Sequence, residues 1–188
     1  MKLVHIHIGD IFASREPAEV ETVLGSCIAV CLFDPVALVG GMNHFMLPEG
    51  QPDDPVPTRF GMHAMGALVD QIHLMGGQKA RLQAKIFGAA SVLEMDETWI
   101  CVPSANREFA RRYLAAENIP LVSERLGGRL PLKIRLFTQT GKVLVRALPR
   151  NRATALIGRE QECREIALAA RWKWFEQLGD TSRGEPSP

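Results

Sequence analysis

Thr22-Val23-Leu24-Gly25-Ser26-Cys27-Ile28-Ala29-Val30-Cys31-Leu32-Phe33-Asp34-Pro35 is the stretch on which the fold turns. From Cys27 onward it is a continuous apolar run of strand length, closed by Asp34-Pro35, a dipeptide that favours turn initiation. A second apolar run follows from Leu38 to Leu47, interrupted by Gly40-Gly41 and ended by Pro48. The two runs read as a β-hairpin. A turn centred between Pro35 and Val36 sets Phe33 opposite Leu38 and Cys27 opposite His44. Directly opposed side chains share a face, with Cβ atoms about 4.5–5.5 Å apart, which permits a thiol–imidazole hydrogen bond. A three-residue turn, or a bulge at Gly40-Gly41, would change that register.

Outward from the hairpin, strands and helices are mixed. Leu3 to Ile8 alternates as a half-buried strand, with Val4, Ile6 and Ile8 toward the core. Arg15 to Glu21 and Glu49 to Pro57 read as loops. Residues 60–75 place Met65, Leu68, Val69, Ile72 and Met75 near one face of a helix, and Gly76-Gly77 stops it. Leu82 to Ile86, Trp99 to Val102, Ile119 to Val122, Leu132 to Phe137 and Lys142 to Leu148 read as strands. Ser104 is the expected cap of a helix running to about Glu117. A last helix is expected from about Arg159 to Leu178, followed by a disordered tail from Asp180. The expected class is α+β, with the body of the fold in residues 1–158 and the helix and tail in 159–188.

Composition narrows the function. The 188 residues are 46% hydrophobic and 23% charged, with 22 Lys plus Arg against 21 Asp plus Glu, a net charge of +1. That excludes disorder over the whole chain and a globally basic nucleic-acid binder. No window approaches the roughly 18 consecutive apolar residues of a membrane span, and the first residues carry too short an apolar run for a signal peptide. The expected compartment is the cytoplasm, where thiols stay reduced. No Cys-x-x-Cys pair exists, so a zinc ribbon is not expected.

Cys27 is the informative cysteine. It follows Gly25-Ser26, where the backbone turns tightly and a ligand can approach. It is either a small buried hydrophobe or a nucleophile activated by a neighbouring base. Cys31 lies roughly 13 Å further along the strand, too far for a disulfide, and reads as packing, as do Cys101 and Cys163. His5 and His7 share a strand face, but no carboxylate or thiol motif accompanies them as for a metal. His63 and His73 read as surface or partly buried polar residues. There is no Walker loop, dinucleotide fingerprint or serine nucleophile elbow. Arg150, Arg152, Arg159, Arg164, Arg171 and Lys173 form a loose basic set. It is read as a solvated face, with docking of an acidic partner as the alternative.

The stretch from Thr22 to Pro35, continued in register through Gly40-Gly41-Met42-Asn43-His44-Phe45-Met46-Leu47-Pro48, resembles the signature of the chemoreceptor glutamine deamidases of the CheD family. Weaker matches run from about His5 to Arg146. They include Lys85-Ile86-Phe87-Gly88-Ala89-Ala90, Asn106 with Glu108-Phe109, Leu126-Gly127-Gly128 and Thr140-Gly141-Lys142-Val143-Leu144-Val145-Arg146.

The resemblance implies hydrolysis of glutamine side-chain amides in methyl-accepting chemotaxis receptors, giving glutamate and ammonia. It implies Cys27 and His44 as the catalytic pair, with a threonine upstream as third member, for which Thr22 is the candidate. The implied fold is that of the cytotoxic necrotizing factor type of cysteine hydrolase, packed β-sheets flanked by helices. Backbone N–H groups around Gly25, Ser26 and Cys27 are the expected oxyanion donors, and no metal or organic cofactor is needed. The receptors are the implied partners, with the phosphatase CheC a further partner in some systems. Neither nucleic-acid binding nor membrane insertion is expected. A non-catalytic adaptor on receptors or CheC, and a thiol protease using the same pair, are the competing readings. The chain departs from the pattern at Gly88-Ala89, where two glycines are expected, at Val102-Pro103-Ser104-Ala105-Asn106, where Ile-Gly-x-Arg-Asn is expected, and at Arg129-Leu130-Pro131-Leu132.

Overall fold

Val20, Leu24, Ala29, Cys31, Met42, Leu132, Ile134 and Leu136 form a core between two stacked sheets, and strand alternation explains why these residues meet. A computed structural model describes residues 1–50, 54–92 and 97–149 together with Glu165, the side chains of 97–101 excepted. The expected helix from Arg159 to Leu178, the tail and the side chains of Cys101 and Cys163 lie outside the described residues.

The strands are β1 (Lys2–His5), β2 (Ile11–Ser14), β3 (Ala18–Leu24), β4 (Ile28–Asp34), β5 (Val39–Asn43), β6 (Gln83–Gly88), β7 (Leu121–Leu126), β8 (Leu132–Phe137) and β9 (Val143–Ala147), with helices α1 (Gly61–Leu74) and α2 (Glu97–Ala116). One sheet has the order β1-β3-β8-β9, the other β2-β5-β4-β6-β7. The β1–β3 and β6–β7 pairs are parallel, the rest antiparallel. At the centre of the second sheet β4 is covered on both faces, which is why the Cys27–Phe33 run does not alternate. Ile28, Val30 and Leu32 pack against α1 and α2 through Ala64, Met65, Leu68, Ile72, Ala110 and Leu114. Ala29 and Cys31 face the first sheet. The α+β expectation therefore holds, as two sheets and two helices among the described residues.

Several local expectations are corrected. Arg15 to Glu21 is not a loop throughout, because β3 begins at Ala18, and β2 precedes it. Polar Glu19 and Glu21 alternate with Val20 and Thr22 and hide the strand from an apolar-run reading. Trp99 to Val102 is not a strand, and Ser104 does not cap a helix: both lie inside α2, which continues through Pro103. A short apolar run cannot be told from a buried helix segment by periodicity alone, and Val102 packs in a cluster with Cys27, Met46, Leu47 and Phe60.

The hairpin forms, but not in the expected register. Asp34 pairs with Val39 and Cys31 with Met42, so Phe33 faces Gly40 rather than Leu38. The cause is the turn. Asp34 Oδ1 accepts the N–H groups of Val36 and Ala37 at 2.9 and 3.1 Å, and Leu38 turns with φ 54°, so the loop runs from Pro35 to Leu38. Asp34 is fully buried. Its carboxylate also accepts Arg81 at 2.7 Å and the Gln78 N–H at 2.8 Å.

Candidate active site

The slip in register moves Cys27 and His44 out of direct opposition. Beyond the paired strands, Ile28 and Phe45 form a last bridge, exchanging backbone hydrogen bonds of 3.0 and 2.9 Å. Cys27 immediately precedes β4 and His44 immediately follows β5, one residue to either side of that bridge. A slip of two positions preserves the face of every side chain in a ladder, so the change of register does not by itself part Cys27 from His44; Cys27 packs with Met46, Leu47, Phe60 and Val102. Cys27 and His44 are each 2% exposed, and Thr22 is 5% exposed.

Thr22 arrives from the other sheet. In β3, alternation turns Val20, Thr22 and Leu24 toward the core between the sheets. Thr22 Oγ1 lies 2.8 Å from His44 Nδ1 and 2.9 Å from the Ile6 carbonyl oxygen. A hydroxyl has one proton, and a carbonyl can only accept. The Thr22 hydroxyl therefore donates to Ile6, and His44 Nδ1–H donates to Thr22 Oγ1. In the neutral ring this places the lone pair on Nε2, the nitrogen that can act as a base. The backbone of His44 is tied on both sides: its carbonyl accepts from Gly9 N at 2.8 Å, and its N–H donates to Asp10 O at 3.2 Å.

The carbonyls around Cys27 are each held. Gly25 O accepts from Ala90 N at 2.8 Å, Cys27 O from Ala89 N at 2.8 Å, and Ser26 O from Asn106 Nδ2 at 3.1 Å. Gly88 has φ +112°, and a Cβ there would stand 2.1 Å from Cys27 O, so the backbone of β6 approaches the cysteine where only glycine fits. Ala89, at the expected second glycine, takes the left-handed φ of 52°. The Cys31 thiol sits in the core between the sheets. Burial, only partly opposed by nearby Lys85, pushes it up to about 12, so it stays protonated at neutral pH. His5 lies 3.6 Å from Glu21 on the outer side of the first sheet, and His63 and His73 are exposed on α1. Among the described residues no group of three or more His, Cys, Asp or Glu gathers as for a metal ion, and no helix is long and apolar enough to cross a membrane.

Asn106 had no role in the sequence reading, although it was among the matched residues. Its partners are Ser26 and Met46, far away in the chain, and no local pattern links them.

Two packed sheets flanked by two helices, with Cys27, His44 and Thr22 all buried, make this an α+β protein. The family model for CheD, chemotactic sensory transduction, matches residues 46–147, so Thr22, Cys27 and His44 lie ahead of the matched span. A probable chemoreceptor glutamine deamidase CheD of Xanthomonas axonopodis pv. citri is 49% identical over 128 residues, 68% of this chain and 64% of that protein. The protein of that name from Methylobacillus flagellatus is 42% identical over 158 residues, 81% of this chain and 77% of that protein. The crystal structure of the Bacillus licheniformis hypothetical protein YfiH aligns with TM-score 0.42 and 16% identity, over 61% of this chain and 49% of that one. That likeness is too low to carry an argument. The chain belongs to the CheD family.

Proposed function

We propose that this protein hydrolyses glutamine side-chain amides of methyl-accepting chemotaxis receptors to glutamate, through a thioester on Cys27. Family membership supports the substrate class. The observation that carries the chemistry is the Thr22–His44 hydrogen bond, which holds the imidazole with Nε2 as the basic nitrogen, one bridge away from Cys27.

In the proposed reaction His44 Nε2 takes the Cys27 proton, and the thiolate attacks the glutamine Cδ. Negative charge develops on the amide oxygen, where backbone N–H groups of the Gly25-Ser26-Cys27 turn would stabilise it, each good donor contributing about 3–4 kcal/mol. Collapse breaks the C–N bond. His44 returns its proton to the leaving nitrogen, and ammonia departs, leaving the acyl group on sulfur. His44 then deprotonates water, which attacks the thioester and releases glutamate, and the proton passes back to the thiol. Thr22 accepts Nδ1–H throughout and keeps the ring oriented. No metal or organic cofactor enters these steps.

The proposal extends to a cytoplasmic site of action, to residues 1–158 as the catalytic domain with 159–188 appended, and to the cytotoxic necrotizing factor type of hydrolase as the wider fold group. An adaptor on receptors or on CheC would not require His44 to be held by Thr22. The test is co-expression with a chemotaxis receptor and mass spectrometry of its glutamine-bearing peptides. Amide-to-acid conversion that disappears with Cys27→Ala is expected. Conversion that survives Cys27→Ala sinks the thioester mechanism, and its absence with the unaltered protein favours the adaptor.

A further inference from the structure

We infer that Asn106 is a positioning residue for the reaction, a clamp on the fork where the nucleophile and base segments part. The inference rests on the reading of Cys27 and His44 as the reacting pair.

The hairpin ladder ends at the Ile28–Phe45 bridge. One step further it would have used the carbonyl of Ser26, but there the two chains diverge. Leu47 instead bridges to Phe60, and its carbonyl accepts from Gly61 N at 2.7 Å. Asn106 fills the resulting gap. Its Nδ2 donates to Ser26 O at 3.1 Å and to Met46 O at 2.7 Å. An amide NH2 has two protons, one for each carbonyl. The opposite orientation of the amide would set its oxygen against two carbonyl oxygens, so the hydrogen bonds decide which way it lies.

Ser26 is the residue before Cys27, and Met46 is two residues after His44. A single fully buried side chain on α2 thus ties the segment carrying the proposed nucleophile to the segment carrying the proposed base. Among the described residues Asn106 Oδ1 has no hydrogen-bond partner although it is buried. Such an orphan acceptor opposes stability, so the side chain is better explained by what its NH2 holds than by a net gain in folding. Loss of the clamp would leave the Ile28–Phe45 bridge as hinge and let the two segments move beyond it. A misplacement of about 1 Å between reacting groups can cost about 100-fold in rate.

The test compares Asn106→Ala and Asn106→Ser, the latter keeping one donor, with the unaltered protein and with His44→Ala. Circular dichroism and melting check folding. Iodoacetamide labelling of Cys27, followed by peptide mass spectrometry across pH, reads the thiolate. Receptor deamidation gives kcat and KM. The expected result is a folded Asn106→Ala protein whose Cys27 labelling profile moves toward that of His44→Ala. Its kcat falls on the order of 100-fold with KM little changed, and Asn106→Ser lies between. Folded variants with unaltered labelling and turnover would overturn the inference, as would failure of both variants to fold, which would make Asn106 purely structural. Failure of the parent reading shows elsewhere: His44→Ala would then label like the unaltered protein.

Discussion

Thr22 Oγ1 lies 2.8 Å from His44 Nδ1 although Thr22 sits in a strand of the first sheet and His44 follows a strand of the second. The hydrogen bond crosses the core between the sheets and places an inward-facing threonine of β3 against the residue that follows β5. With the Thr22 proton committed to Ile6 O, the ring has one neutral tautomer compatible with its neighbours.

That tautomer is directly measurable. Nitrogen-15 NMR of the neutral His44 ring is expected to show Nδ1 protonated and Nε2 unprotonated. In Thr22→Val, which keeps the shape but not the hydroxyl, the preference should weaken. Turnover should fall about 10–100-fold, by analogy with other groups that orient an imidazole, against a stability loss of about 1 kcal/mol. Undiminished turnover in Thr22→Val would remove Thr22 from the proposed machinery.

Cys27→Ser and His44→Ala should each abolish measurable deamidation with the fold intact, because a serine hydroxyl is a poor match for an imidazole base and loss of the imidazole removes both the base and the proton donor. Receptor deamidation alongside thermal melts decides this. Turnover by Cys27→Ser near that of the unaltered protein would eliminate the thioester.

Cys31 is expected to be chemically silent. With its thiol pushed up to about 12 by burial, iodoacetamide at neutral pH should leave it unmodified in the folded protein. Cys31→Ala should keep full activity and lose about 1–2 kcal/mol of stability from the lost apolar burial. A folded but inactive Cys31→Ala protein would show that the nucleophile has been misassigned.

Gly88→Ala should damage the site through Cys27. The added methyl would stand 2.1 Å from Cys27 O, and the φ of +112° disfavours any side chain. The strain is of order 1–3 kcal/mol, and its relief must displace the cysteine backbone. Melting temperature and turnover measured together should show activity falling further than stability. Full activity would mean that the two backbones do not need to approach so closely.

Asp34 ties stability to pH. Burial opposes its ionisation. The Arg81 guanidinium and the N–H groups of Gln78, Ala37 and Val36 more than offset this, and hold the carboxyl well below the ordinary carboxylate range. Its stabilisation is therefore complete above an unfolded-state pKa of about 3.9 and is lost as pH falls through the lower folded value. Asp34→Asn should cost roughly 3 kcal/mol at neutral pH, and the gap from the unaltered protein should narrow below about pH 4. Urea melts across that range test it. A gap independent of pH would deny Asp34 this role.

The hairpin was legible because its two apolar runs are long and end in a turn dipeptide, and α1 because its apolar spacing is regular. β3 was not, since alternation with Glu19 and Glu21 looks polar until the sheet supplies a partner face. The register failed by two positions because side-chain capping by Asp34 lengthened the turn, an effect that apolar patterning does not contain. Trp99 to Val102 was misread because a short apolar run fits either a strand or a buried helix. The later burial of Val102 beside Cys27 is a tertiary contact.

The ordered residues themselves specified the hairpin, the α+β class and the identities of Cys27 and His44 as candidates, since strand period, turn chemistry and the Gly-Ser-Cys motif are all local. Tertiary structure alone decided which ring nitrogen of His44 carries the proton, and that Asn106 bridges Ser26 and Met46. It also decided that β6 presses Gly88 against Cys27. These relations join residues tens of positions apart, held at a few ångströms by the packing of one sheet on another and of α2 on the Ser26 and Met46 segments. Hydrogen-bond geometry at that range depends on where whole elements come to rest, which no local spacing encodes.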